Sequence, residues 1–227
     1  MAGPRQLALA LDHAESFVAD DFLIGPSNES AMRMIEAWPD WPDRILVLSG
    51  PSGAGKSHLA AIWAERAGAR FLGGRGLTTA SLAGATATGA LVVENVQPDQ
   101  FDESALFHLL NIVREDGSYL FVTTETPPAG WTVRLKDLAS RLRALPLVSL
   151  EAPDDELLRA VIVKQCSDRQ MPVDAALVSY LVSHIERSFA AARAAVHWLD
   201  SEALRRKRPV SRTLAAELFR QPDLFRE

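Results

Sequence analysis

Across 227 residues, 48% apolar and 23% charged side chains make an ordinary globular mix, which excludes global disorder and suits one α/β domain with a small appendage or two modest domains. Lys and Arg number 24 against 29 Asp and Glu, a net charge of −5, so the surface as a whole is not built to hold nucleic acid, although a local basic patch stays open. The lone cysteine, Cys166, precludes an internal disulfide, no signal-peptide pattern opens the sequence, and no stretch approaches the ~18 continuous apolar residues of a membrane span; the expected location is the cytoplasm.

In chain order, Gln6-Leu7-Ala8-Leu9-Ala10-Leu11 alternates with the period of extended backbone, as an edge strand or a free peptide would. Short, nearly continuous apolar runs follow at residues 45–49, 70–72, 90–93, 119–123 and 146–150, and read as strands buried on both faces of a parallel sheet. Helices are predicted between them over residues 56–67, 101–115 and 135–143, an alternation that implies right-handed crossovers and a layered α/β domain. The Gly-, Ala- and Thr-rich connection 73–89 has no assigned structure. Past Leu150 the strand pattern stops. Asp154 or Asp155 can cap a helix running toward Arg169, and Asp174 can cap a second. Ile185, Phe189, Ala192, Val196 and Leu199 form the stripe of a third, and Pro209 separates it from a last one begun by Ser211. The predicted organisation is an extended peptide over residues 1–20, an α/β domain over 21–151 and an all-helical domain over 152–227.

The strongest chemical signal is Gly50-Pro51-Ser52-Gly53-Ala54-Gly55-Lys56-Ser57, a complete GxxxxGK[ST] phosphate loop. Its glycines let backbone N–H groups turn inward on a phosphate, Lys56 can reach the terminal phosphates, Ser57 offers a hydroxyl to Mg²⁺, and the helix starting there adds its positive end. A strand leads in and a helix leads out, the context such a loop needs. Glu94, at the end of the third strand, can hold the water shell of Mg²⁺. Beside it Asn95 can orient a water but cannot accept its proton, so slow intrinsic turnover of ATP is expected.

Taken together, these motifs resemble the AAA+ replication-initiator family of DnaA, and more closely its short regulatory homologues of the Hda type. The resemblance runs from about Asp21 to Leu218. It rests on Phe22-Leu23-Ile24-Gly25-Pro26-Ser27-Asn28, similar to the family's adenine-contacting segment; on the phosphate loop with its following His58; on Thr123-Thr124 ahead of Pro127-Pro128, similar to sensor I; on Leu138-Ala139-Ser140-Arg141-Leu142, similar to the arginine-finger box; and on Glu186-Arg187-Ser188-Phe189, where a sensor II arginine belongs.

What the resemblance implies is an AAA+ P-loop domain with a five-stranded parallel sheet followed by a small all-helical lid. ADP or ATP with Mg²⁺ would be held by Phe22, Leu23, Ile24, Asn28, Pro51, Ser52, Gly53, Ala54, Gly55, Lys56, Ser57, His58 and Arg187, with Ser57 and Glu94 on the metal and Thr124 as sensor I. Arg141 would act in trans on a DnaA partner, and Gln6, Leu7, Leu9 and Leu11 would dock on the DNA polymerase sliding clamp, as extended peptides do with alternate side chains in pockets. A second clamp-type string, Gln221-Pro222-Asp223-Leu224-Phe225, departs from the pattern at Pro222. The family's helix-turn-helix module is not found before Glu227, so sequence-specific DNA binding is not expected; self-association is left open. The function expected is stimulation of ATP hydrolysis by DnaA. The alternatives are a helicase-loader-like ATPase that turns over its own ATP and, further off, a small-molecule kinase. The run Arg205-Arg206-Lys207-Arg208 reads as a solvated helix end or a DNA contact.

Overall fold

The computed structural model describes residues 21–82 and 84–220; the peptides 6–11 and 221–225 lie outside them. Five strands, β1 (Ile45–Ser49), β2 (Arg70–Gly73), β3 (Ala90–Val96), β4 (Tyr119–Thr124) and β5 (Leu147–Ser149), form one parallel sheet in the order β2-β3-β4-β1-β5. The register pairs Ser49 with Thr124 and with Ser149, which sets the C-terminal ends of the three strands side by side.

Alternation along the central strands divides the apolar side chains between two cores. Ile45, Val47, Leu91, Val93, Leu120 and Val122 face α3 (Glu103–Asp116) and α4 (Lys136–Ala144). Leu46, Leu48, Ala90, Val92 and Phe121 face α1 (Glu29–Glu36) and α2 (Lys56–Ala67), where Trp41 and Trp63 stack with ring centroids 5.2 Å apart. The expectation of strands buried on both faces holds for the three central ones. At the edges Phe71 and Leu147 remain 50% and 40% exposed, because an edge strand lacks cover on one side.

Past β5 the described residues form only helices: α5 (Asp155–Asp168), α6 (Ala175–His184), α7 (Phe189–Arg206) and α8 (Arg212–Phe219), around a core of their own that includes Leu158, Ile162, Leu181, Val196, Leu199 and Leu214. Each start is capped by a side-chain oxygen that accepts from a backbone N–H: Asp154 from Leu157 at 2.7 Å, Asp174 from Leu177 at 2.7 Å, Ser188 from Ala191 at 3.0 Å and Ser211 from Leu214 at 3.3 Å. Two sequence expectations need correction. Ile185 is not part of the third helix; it closes α6 in extended backbone, and Ser188 opens α7. Helix α1 was not anticipated, since only Ala31 and Ile35 of its eight residues are buried and they sit a single turn apart.

Candidate nucleotide-binding site

The loop from Gly50 to Gly55 leaves β1 and delivers the chain to α2. Gly53 and Gly55 take φ of +71° and +95°, where a side chain would be strained, and Gly55 caps α2 with no side chain to occupy the N–H groups of its first turn. Those N–H groups and the positive end of α2 are what an anion would meet. Lys56 Nζ donates to the carbonyls of Gly50 at 2.7 Å and Pro51 at 2.8 Å. Burial pulls its pKa below the ordinary lysine value, and the Glu125 carboxylate works against that shift.

A cleft of about 700 Å³ opens over the loop. One wall is Ser52, Gly53, Gly55, Lys56, Ser57 and His58; a second is the strand ends Glu94, Asn95, Thr123 and Glu125. Asp21, Phe22 and Leu23 close it from the N-terminal side, and Val161, Lys164, Gln165, Asp168, Phe189 and Arg193 come from α5 and α7. Phe22 meets His58 edge-on at 5.2 Å, and a Cβ on Gly55 would lie 3.4 Å from the Phe189 ring. Helix α7 touches the loop directly, since Phe189 N–H donates to the Gly53 carbonyl at 2.9 Å. Across the cleft Lys164 bridges Asp21 at 2.7 Å and Asp168 at 3.0 Å, and these hydrogen bonds raise its pKa.

Several assigned residues support the cleft without lining it. Asn28 is buried; its Oδ1 accepts from Gly25 N–H at 2.8 Å and its Nδ2 donates to the Leu23 carbonyl at 3.0 Å, so it shapes the segment that carries Phe22 and Leu23. Ile24 is 54% exposed and off the wall, Ala54 is buried beneath the loop, and Pro51 contributes its carbonyl to Lys56. Thr124 is a correction. Side chains alternate along β4, so Thr123 and Glu125 face the cleft while Thr124 turns into the sheet and donates to the Thr126 carbonyl at 3.0 Å. Arg187 is the second correction: it pairs with Asp155 at 2.9 Å on the surface, and the arginines on the cleft wall are Arg169, just past α5, and Arg193, brought round by the turn of α7.

Among the described residues Glu94 Oε1 is buried without a hydrogen-bond partner, and it shares the cleft with Ser57, a donor set of hard oxygens that fits Mg²⁺. Asn95 has φ +53°; its N–H donates to Thr123 Oγ1 at 2.9 Å and its Oδ1 accepts from Gln97 Nε2 at 2.9 Å. Sequence reasoning missed Glu125 and Arg193. The period of two from Thr123 would have found the first, whereas the second needed the start of α7 to be placed within a turn.

Arg141 stands elsewhere, on α4 away from the cleft wall, with its Cζ 4.8 Å from the Phe107 ring centroid. Arg205, Arg206 and Arg208 are held in intrachain pairs with Glu202 and Glu217, at 2.6 to 3.6 Å. The four cations of the run are therefore offset in part, by two carboxylates of their own helices.

No protein-family model matches the sequence. Among curated proteins it is 29% identical over 66% of this chain to the chromosomal replication initiator protein DnaA of Caulobacter sp. (strain K31), covering 36% of that protein. It is 23% identical over 91% of this chain to DnaA of Thermomicrobium roseum, covering 50% of that protein. The chain is similar to DnaA at low identity. It spans half or less of the length of these relatives. Domain III of DnaA from Thermotoga maritima superposes with a TM-score of 0.76 at 16% identity, over 93% of this chain and 98% of that one. AMPPCP-bound DnaA from Aquifex aeolicus gives 0.68 at 15% over 81% and 65%, and the Thermotoga maritima RuvB Holliday junction branch migration motor gives 0.70 at 15% over 86% and 68%. The fold is that of AAA+ proteins, a class that includes initiators and motors alike. No helix among the described residues is long and apolar enough to cross a membrane.

Proposed function

We propose that this chain binds an adenine nucleotide in the cleft and acts as a regulatory AAA+ protein of DNA replication. Docked on the sliding clamp through Gln6, Leu7, Leu9 and Leu11, it presents Arg141 to the ATP site of a DnaA partner, stimulates hydrolysis there and so limits initiation. The phosphate loop supports the nucleotide half of this reading, as does the likeness to DnaA bound to AMPPCP. Phe22, Leu23 and Val161 offer apolar surface to a base, while Lys56 and Arg193 face the phosphates. Ser57 and Glu94 would hold Mg²⁺, which supplies charge neutralisation between phosphate oxygens.

The observation that carries the trans half is the place of Arg141. It is off its own cleft, partly exposed, and without an ion pair among the described residues. A guanidinium so placed serves a phosphate held by another subunit, and its fork can grip two oxygens at once. The test is phosphate release from DnaA-ATP with and without this protein and clamp-loaded DNA. Stimulation of the scale of an arginine finger, ~10³-fold or more, is expected from the parent and is lost in Arg141→Ala. Equal stimulation by both overturns the mechanism. A second reading, an ATPase of the helicase-loader kind acting on its own nucleotide, draws on Glu125, a cleft carboxylate able to take the proton that Asn95 cannot. Rapid phosphate release by this protein alone, without DnaA or clamp, would favour it.

A further inference from the structure

We propose that Phe107 is the positioning residue for the Arg141 guanidinium, a role that rests on the trans-finger reading above. Phe107 lies on α3 and packs, half-buried, against the core beneath the sheet, so its ring is fixed by its own neighbours. Leu138 and Leu142 bury the inner side of α4 in that same core. Arg141 emerges between them in sequence and lays its guanidinium carbon 4.8 Å from the Phe107 ring centroid.

The kind of contact matters. An arginine held by a carboxylate has part of its donor fork occupied and its charge offset, as Glu202 does for Arg205. A ring offers its π face to the cation instead. The attraction is between cation and π-cloud, and among the described residues no acceptor ties up the N–H donors. A long side chain that would otherwise sample many rotamers is thereby narrowed toward one, with its edge left for phosphate oxygens. Nor does the ring have to let go on engagement, because it stabilises a cation that is donating outward as well as one that is not. The ring also meets His108 at 5.9 Å between centroids; an alkyl side chain at position 107 would keep apolar contact with the core but offer the guanidinium no π face.

The experiment measures phosphate release from DnaA-ATP on clamp-loaded DNA, titrated with the parent protein, Phe107→Leu, Phe107→Met, Phe107→Trp and Arg141→Ala. Helical content and affinity for a fluorescent adenine nucleotide equal to the parent's show which variants are folded. Loss of the ring in Phe107→Leu or Phe107→Met lowers the saturating rate about 2- to 30-fold while the half-saturating concentration stays put. Phe107→Trp, which keeps a π face, retains the parent rate. If the ring-less variants match the parent while Arg141→Ala is inactive, the positioning role is overturned and the finger stands. If Phe107→Trp falls as far as Phe107→Leu, the residue matters for packing alone and the proposal is equally overturned. If Arg141→Ala stimulates like the parent, the underlying finger reading is what has failed.

Discussion

Arg187 and Arg193 belong to the same stretch of sequence but not to the same environment. Arg187 keeps 63% of its side chain in water beside Asp155, and an exposed pair of this kind is worth ~1 kcal/mol at most. Arg193 lines the cleft that Lys56 enters. A hydrogen bond from a charged group to phosphate contributes ~1.5–3 kcal/mol, so Arg193→Ala is expected to weaken adenine-nucleotide binding about 10- to 100-fold, and Arg187→Ala about twofold or less. A fluorescent-nucleotide titration of the two variants decides between them. At Asn95 the expectation concerns turnover: with its amide oxygen accepting from Gln97 and no carboxylate at that position, ATP hydrolysis by the protein alone is expected to be slow. Asn95→Asp should raise it, measured as phosphate release without partner. An unchanged rate would place the proton acceptor elsewhere in the cleft, with Glu125 next in line.

At the scale of elements, the join between the phosphate loop and α7 is tightly fitted. A Cβ added to Gly53 would stand 2.9 Å from Ser188 Cβ and 3.0 Å from Ala190 Cβ, in a backbone conformation that already strains any side chain. Gly68, at the end of α2, has φ +62° and, among the described residues, nothing within 4 Å of such a Cβ. Gly68→Ala therefore reports the left-handed strain alone, about 1 kcal/mol. Gly53→Ala adds displacement of α7 and should cost about 1–3 kcal/mol more, together with weakened nucleotide binding. Equal losses in thermal unfolding would mean that α7 yields freely. Strands β1 and β4 and helix α2 were legible in sequence because their apolar residues form uninterrupted or regularly spaced runs. Helix α1 was not, because two buried residues do not make a period. The same limit explains Ile185: its apolar spacing continues the stripe of α7, but Ser188 caps that helix and Ile185 belongs to the element before it.

Across the whole molecule, the cleft is made by two separately cored parts of the chain, so ligand affinity and the integrity of the C-terminal helices are linked. Cys166 gives a way to read this. It is 1% exposed on α5, next to Gln165 on the cleft wall, and burial pushes its thiol pKa up to about 11. A thiol is alkylated as thiolate, so at pH 8 labelling is expected only through opening of the C-terminal helices. A nucleotide at ~100 times its Kd should slow that labelling about 100-fold, since it stabilises the closed form by ~2.7 kcal/mol. Labelling unaffected by saturating nucleotide would show that these helices open without breaking the site. The basic run at Arg205–Arg208 was open to two readings in sequence; its pairing with Glu202 and Glu217 is a tertiary fact, and the two arginines hold the Glu202 carboxyl below its usual range.

The amino-acid sequence by itself determined the phosphate loop, the alternation of strands and helices, and the change to helices after β5. Each of these rests on local spacing, which a linear string displays: a glycine pattern, a period of two or of three to four, a capping aspartate. What only the tertiary structure decided is which side chains share a space. Thr123 and Glu125 rather than Thr124 reach the cleft because strand pleat sets direction and an offset of one residue reverses it; Arg193 rather than Arg187 does so because Arg187 precedes α7 while Arg193 stands on its second turn. Phe107 and Arg141 are far apart in sequence and meet because α3 and α4 bury their leucines in one core against the same face of the sheet. No local pattern records such a meeting, since it depends on how two helices are set against a third element.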